Sequence, residues 1–184
     1  AKVLIPILDE PFLEGLYNLE IKDLDNGDRY VGQITNGMFN GKGVMKYING
    51  AKYEGYFIDN NRHGKGKITQ LNGNSFEGNF ENDNMQGKGT LSWINGATME
   101  TNWSEGKRIY MDAFFDGDYK GDSPEGYGTY NAANGAKYTG VWRHGVLEGL
   151  VNITFYSGDL YTGEWKNSNP NGQGVLMNIY GERY

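Results

Sequence analysis

The densest grouping of chemically capable side chains is a carboxylate cluster, Asp116, Asp118, Asp122 and Glu125. Carboxylates so close in sequence could hold a hard cation, but a calcium loop needs a D-x-D-x-D-G order closed by a terminal glutamate. That order is missing, and no metal site is expected. The two histidines, His63 and His144, fall in polar turn segments with no recurring acidic or nucleophilic partner, and read as surface residues. Gly-Lys-Gly triplets at 41–43, 64–66 and 87–89 could suggest a phosphate loop. Such a loop needs Ser or Thr after its lysine and a helix behind it; these triplets have neither. No catalytic residue and no cofactor is expected, and the chain does not read as an enzyme.

Other side chains recur in rows. Lys42, Lys65 and Lys88 form one, and Glu54, Glu77 and Glu100 another. Cross-strand compensation between the two rows is expected, worth a few tenths to about 1 kcal/mol per pair. A lysine row could instead grip phosphoinositide head groups. The aromatic rows are larger. Tyr30, Tyr53, Phe76, Tyr138 and Tyr161 make one, and Phe57, Phe80, Trp103, Trp142 and Trp165 the other. Most of that surface must pack between neighbouring segments. A single sheet nevertheless leaves one aromatic face without a second layer, and a large uncovered apolar area marks an interface. These ten residues are therefore the candidate partner-binding groove, with tyrosine and tryptophan as anchors for a helix or extended segment of another protein.

The elements that position these rows follow from a glycine grid. Gly27, Gly50, Gly73 and Gly96 are 23 residues apart, and the grid resumes at Gly135, Gly158 and Gly181. Most units carry an aromatic three residues in, a glycine two later, and a Gly-x-Gly pair near the end, as at Gly64 and Gly66. Self-similarity at such a period marks a repeat array. Asn-Gly at 26–27, 49–50, 72–73, 95–96 and 134–135 predicts type I′ turns at the unit boundaries, since that turn needs positive φ at both central residues. A second polar cluster midway, as in Asn82-Asp83-Asn84, supplies the other turn. Two turns per unit imply one hairpin per unit in a continuous meander. The expected fold is all-β, an elongated single-layer antiparallel sheet with an aromatic and a charged face, about 65 Å long at ~4.8 Å per strand. The strand glycines are expected to make room for rings of neighbouring strands.

Composition agrees. The 184 residues include 29 glycines in register with 14 Tyr, 8 Phe and 4 Trp, and the formal net charge is -6. An acidic chain lacks the basic footprint of nucleic-acid binding. It also gains little from an anionic membrane by charge alone. The chain has no cysteine, which excludes disulfides and thiolate metal sites. No apolar run approaches a membrane span, and a soluble, cytoplasmic or cytoskeletal chain is expected. It starts at Ala1 and stops at Gly181-Glu182-Arg183-Tyr184, the opening of another unit, as a fragment of something longer would.

The unit G-x-x-Y-x-G-x-W/F-x6-G-x-G resembles the MORN repeat (membrane occupation and recognition nexus). Units at 27–49, 50–72, 73–95, 135–157 and 158–180 match, with Ile34 and Val151 as departures. Residues 96–115 read as a degenerate unit, in which Met99, Thr101 and Ile109-Tyr110-Met111 replace the expected slots. Residues 116–134 read as a shortened unit, and 181–184 as the start of another. This irregular middle would be either decayed repeat with intact stacking, or a kink where a partner docks. Residues 1–26 lie outside the grid and would cap the sheet edge, with Val3–Leu8 apolar and Phe12–Tyr17 as a rudimentary first strand.

The runs Ala136-Lys137-Tyr138-Thr139-Gly140-Val141-Trp142 and Tyr161-Thr162-Gly163-Glu164-Trp165 are similar to MORN-containing radial spoke head proteins of motile cilia. That resemblance implies a non-enzymatic scaffold of the ciliary axoneme with protein partners, and either sheet edge could also self-associate. The family name implies a membrane-apposition module as the alternative. Repeats of this kind fused to plant phosphatidylinositol phosphate kinases and to a histone lysine methyltransferase imply a third, a targeting region of a larger enzyme.

Overall fold

A computed structural model describes residues 10–109 and 113–184. Its strands are β1 (Leu19–Asp23), β2 (Arg29–Thr35), β3 (Met38–Lys46), β4 (Lys52–Ile58), β5 (Asn61–Thr69), β6 (Ser75–Glu81), β7 (Asn84–Ser92), β8 (Thr98–Ser104), β9 (Lys107–Ile109), β10 (Phe114–Lys120), β11 (Ser123–Asn131), β12 (Lys137–Arg143), β13 (Val146–Thr154), β14 (Leu160–Lys166) and β15 (Asn169–Met177). They form two antiparallel sheets in sequence order, β1 to β9 and β10 to β15. Among the described residues the helical content is one 3-10 turn, Pro11–Leu13. The expected hairpin meander is there, but as two sheets rather than one continuous one. The interruption follows β9, which is three residues long where the second strands of the intact hairpins have nine. In this unit the sequence carries Tyr110 and Asp112 in the Gly-x-Gly slots. Tyr110 and Met111 lie outside the described residues.

The turn chemistry is the reverse of the expectation. At the unit boundaries only the glycine has positive φ, as at Gly50 (84°) and Gly73 (89°), while the preceding asparagine does not. Asn49 Oδ1 instead accepts from the Ala51 N–H (3.0 Å), and Asn26, Asn72, Asn95 and Asn134 do the same two residues on. Gly50 N–H donates to Tyr47 O (2.9 Å), closing a four-residue turn that ends in the left-handed glycine. The paired positive φ of a I′ turn appears midway instead, at Asn36-Gly37, Asp59-Asn60, Asn82-Asp83 and His144-Gly145. Asparagine and aspartate tolerate that conformation better than other residues with a Cβ.

Those midway turns also tie each hairpin to its predecessor. Asn60 N–H donates to Phe39 O, Asp83 N–H to Arg62 O, and Ser168 N–H to Leu147 O, each at 3.1 Å. The side chain of the same turn residue takes the reciprocal bond, from Phe39 N–H to Asn60 Oδ1 (2.9 Å) and from Arg62 N–H to Asp83 Oδ1 (2.8 Å). Identical bonds one period apart fix the register without a central core.

The chain divides into two compact units: Ala1–Leu71 with Ser75–Gly87 and Ser104–Lys107, and Asn72–Asn74 with Lys88–Trp103 and Arg108–Tyr184. In the first, Phe12–Tyr17 is not a strand. Pro11 opens the 3-10 turn, and Leu13 is fully buried against Val31 and Val44. The pairing strand is β1, joined to β2 with Ile21 opposite Val31. The buried Glu10 carboxylate pairs with Lys46, and lies 3.8 Å from Lys52. Val3–Leu8 lies outside the described residues. In the second unit a core forms from Phe115, Trp142, Leu147, Val151 and Ile153. The turn before Gly96 packs on later turns of the same unit. Trp93 lies against Gly158, and Asn95 Nδ2 donates to Gly158 O (2.9 Å) and Asn178 O (3.2 Å).

Candidate functional site

The rows expected to form the groove are placed by strand alternation, one face of each hairpin carrying aromatic, glycine, aromatic. In the first unit, Tyr53 lies over Gly55 of its own strand and Gly66 of the next, which sit opposite each other. A Cβ at either glycine would collide with the ring. The ladder is interrupted beyond Gly55, and the Tyr53 hydroxyl donates to Tyr56 O (3.1 Å) there. Tyr30 repeats the arrangement over Gly32 and Gly43, donating to Gln33 O (2.8 Å).

Rings of the two rows then interlock. Phe57 meets Tyr30 at 5.1 Å and Tyr53 at 5.2 Å, both near perpendicular. Phe80 meets Tyr53 at 5.1 Å and Phe76 at 5.7 Å in the same way. Phe57 and Phe80 thus each sit edge-on between rings of two successive repeats, a geometry worth about 0.5–1.5 kcal/mol per pair beyond area burial.

Residues absent from the expected groove close this face. Phe39 stacks on Tyr30 at 3.9 Å, and the Arg62 guanidinium lies over Tyr53 (5.7 Å) and Phe80 (5.3 Å). Arg62 is anchored to Asp83 at 3.1 Å. Both come from the strand position opposite the second aromatic, with Phe39 facing Ile34 and Arg62 facing Phe57. As a result Tyr30, Tyr53, Phe57, Phe76 and Phe80 are all buried. They form the core of their unit in this structure and present little surface to a partner. Burial pushes the Tyr30 and Tyr53 phenols well above their ordinary value.

In the second unit Trp142 is buried too, its indole N–H donating to Gly128 O (3.2 Å). Trp103, Tyr138, Tyr161 and Trp165 stay partly accessible. Tyr138 and Tyr161 flank Trp165 at 6.4 and 6.3 Å, a looser version of the same ladder. The closing position explains the difference. Leu147 faces Trp142 and is fully buried, whereas Trp165 is faced by the short Pro170. Among the described residues the Trp165 indole N–H has no acceptor. Trp103 donates to Thr101 Oγ1 (2.7 Å), the threonine standing in a glycine slot. Phe115, rather than Tyr119, takes the first aromatic slot of its repeat, lying over Gly117 and Gly128, and Tyr119 meets it edge-on at 5.5 Å. Sequence periodicity could have found the closing residues, since positions 39 and 62, and 124, 147 and 170, fall at single 23-residue steps.

The other sequence candidates separate. Register puts Lys42 opposite Tyr56 and Lys65 opposite Asn79, so Glu54 and Glu77 of the facing strands lie opposite Val44 and Lys67 instead. The lysine–glutamate rows therefore do not compensate as expected. Lys42 lies over the Phe12 and Tyr56 rings, Glu54 pairs with Lys52 (2.9 Å), and Glu100 accepts from Thr90 (2.8 Å). Among the described residues no group of three or more His, Asp or Glu is placed to hold a metal ion. Of the acidic cluster, Asp118 and Glu125 face each other across β10 and β11. The backbone N–H of His144 holds the Glu125 carboxyl below the usual range. A cavity of about 440 Å³ in the second unit is lined by Lys88, Arg108 and Lys137 together with Glu100 and Asp116, charges of both signs.

Comparison with known proteins places this geometry. No curated protein is significantly similar to the chain in sequence. Among solved structures, the SAS-4 (dCPAP) TCP domain in complex with a proline-rich motif of Ana2 (dSTIL) of Drosophila melanogaster matches at 14% identity. That match covers 90% of this chain and 87% of the other, with a TM-score of 0.29, at which the likeness carries no argument. The MORN repeat matches residues 30–52, 53–75, 76–98, 115–137, 138–150 and 161–177. Each match opens at the ring that covers the strand glycines or at its counterpart, and together they span most of the sequence: the chain belongs to the MORN repeat family.

Proposed function

We propose that this protein is a non-enzymatic scaffold that binds protein partners through the aromatic face of its second unit. The MORN repeat is a non-catalytic module, and a repeat scaffold for protein interaction is the function its family supports. The observation that carries the finer reading is the contrast in closure: Arg62 and Phe39 cover the rings of the first unit, while Pro170 leaves Trp165 and Tyr161 partly open. Large aromatic rings with one open edge are the side chains that anchor partners. The proposed setting is the radial spoke head of the ciliary axoneme, on the resemblance of residues 136–142 and 161–165 to proteins of that assembly.

Three measurements test this. Tagged chain expressed in ciliated cells should localise along axonemes and cross-link to spoke-head components. Exclusion from the axoneme would remove that setting. The double variant Tyr161→Ala/Trp165→Ala should remain folded and lose those cross-links, and undiminished cross-linking would remove the aromatic face from the account. Flotation with phosphoinositide vesicles that survives high salt would favour membrane apposition instead.

A further inference from the structure

Eight asparagines of this chain precede a glycine. An Asn-Gly pair carries its own chemistry, because glycine has no side chain to shield its nitrogen from the neighbouring amide. Attack of that nitrogen needs two freedoms: the asparagine Cγ must swing toward it, and the nitrogen must give up its proton. Hydrogen bonds remove both at the unit boundaries. Oδ1 of Asn26, Asn49, Asn72, Asn95 and Asn134 is held by the N–H two residues on. Gly27, Gly50, Gly96 and Gly135 donate their own N–H to a carbonyl three residues back, at 2.8–3.0 Å. In the strands, Asn40 Oδ1 accepts from the Asp59 N–H (3.1 Å). The Glu164 carboxylate lies where a Cβ on Gly172 would sit, so it opposes an anionic nitrogen beside Asn171.

Asn36-Gly37 has none of these restraints. The pair is exposed at the tip of the β2–β3 hairpin, between Thr35 and Met38. In later midway turns the second residue donates its N–H to the repeat before it, as Gly106 does to Met85 O (3.1 Å) and Gly145 to Pro124 O (2.9 Å). The hairpin of Gly37 is the first of the array, and β1 pairs with β2 only as far as Gln33. Among the described residues neither the Gly37 N–H nor the Asn36 side chain has a hydrogen-bond partner. The space beside Gly37 is open.

We infer that Asn36 is a site of spontaneous, enzyme-free modification, the position at which the folded chain ages first. Hydroxide takes the Gly37 amide proton, and the nitrogen bonds to Asn36 Cγ. The Cγ–Nδ2 bond breaks, ammonia leaves with a proton from water, and a succinimide closes. Water then opens either carbonyl of that ring, giving aspartate or isoaspartate at this position. Both products add a negative charge. Isoaspartate also routes the main chain through the side-chain methylene, so a turn that fits two residues gains a backbone atom. The next pair inward is Ile34 with Phe39, and Phe39 is the ring stacked on Tyr30 at 3.9 Å. Isoaspartate at the tip therefore loosens the cover of the first aromatic ring, an effect independent of the partner-binding reading.

The test follows all eight asparagines in one sample. The full chain is incubated in mildly alkaline buffer, with a parallel sample unfolded in urea, and each peptide is quantified by the mass gained as an amide becomes an acid. In urea the eight should convert at similar rates, because only local sequence then acts. In the native chain Asn36 should convert at nearly its unfolded rate, whereas a boundary asparagine such as Asn49, which must first break two hydrogen bonds, should convert roughly tenfold more slowly. Asn72 should lie between, since among the described residues Gly73 makes no such backbone bond. Protection of Asn36 equal to that of Asn49, or fastest native conversion at Asn40 or Asn171, would overturn the inference. The isoaspartyl form, separated by chromatography, should unfold at lower urea than Asn36→Asp, which carries the same charge on an unlengthened turn. Equal midpoints would overturn the effect on the Phe39 cover.

Discussion

The first unit and the β10–β15 sheet use the same repeat to different ends. Tyr53 and Tyr161 occupy equivalent slots, each over a pair of strand glycines. Tyr53 is sealed, with its hydroxyl bonded to Tyr56 O, two perpendicular rings beside it and a guanidinium above. Tyr161 has one ring beside it, inclined at 63°, and stays partly open. On the outward faces the contrast runs the other way, from lysines in the early repeats to exposed Tyr127 and Leu150 in the later ones. The inner rows hold a repeat to its neighbours, so their substitutions are limited by packing. The outward rows carry no such constraint, and there, as at the closing position, the repeats diverge.

The strongest way to break this comparison is to truncate both rings. Tyr53→Ala should cost about 3–5 kcal/mol, as expected for removing a fully enclosed aromatic. Tyr161→Ala should cost less than half of that, measured by urea denaturation of each variant. Equal losses would mean that closure does not distinguish the two regions.

A smaller effect is expected at the glycine track. Gly66→Ala drives a Cβ into the Tyr53 ring and should cost roughly 1–3 kcal/mol. The same change at Gly87, where a Cβ meets nothing, should be milder, although its φ of 67° still strains any residue but glycine. If Gly87→Ala proved the more damaging, backbone conformation rather than ring cover would be the reason these glycines stand where they do.

The smallest effect concerns alkali. Tyr30 and Tyr53 are raised by burial above the ordinary phenol value of 10.0. Above that value the unfolded chain releases their protons while the folded chain keeps them, so stability falls as pH rises. Their contribution should be intact below pH 10 and decline above it. Tyr30→Phe/Tyr53→Phe should flatten that decline in denaturation midpoints measured between pH 9 and 11, beyond the cost of the two lost hydroxyl bonds. A slope unchanged in the double variant would place the alkaline sensitivity elsewhere.

Local pattern determined much of this protein. The 23-residue grid, one hairpin per unit and the alternation that puts rings over strand glycines all follow from residue spacing, because a strand has a period of two and its turns need particular residues. The turn type did not follow. Asn-Gly favours I′ in isolation, but here the asparagine side chain caps the backbone two residues on and keeps its own φ negative. Tertiary structure decided which rings are covered. Phe39, Arg62, Leu147 and Pro170 act across a strand pair, from the neighbouring strand of the same hairpin, and their size sets what remains open. It also decided that the sheet breaks after β9 and that Trp93 meets Gly158. Such contacts join residues many repeats apart, and no local period encodes them.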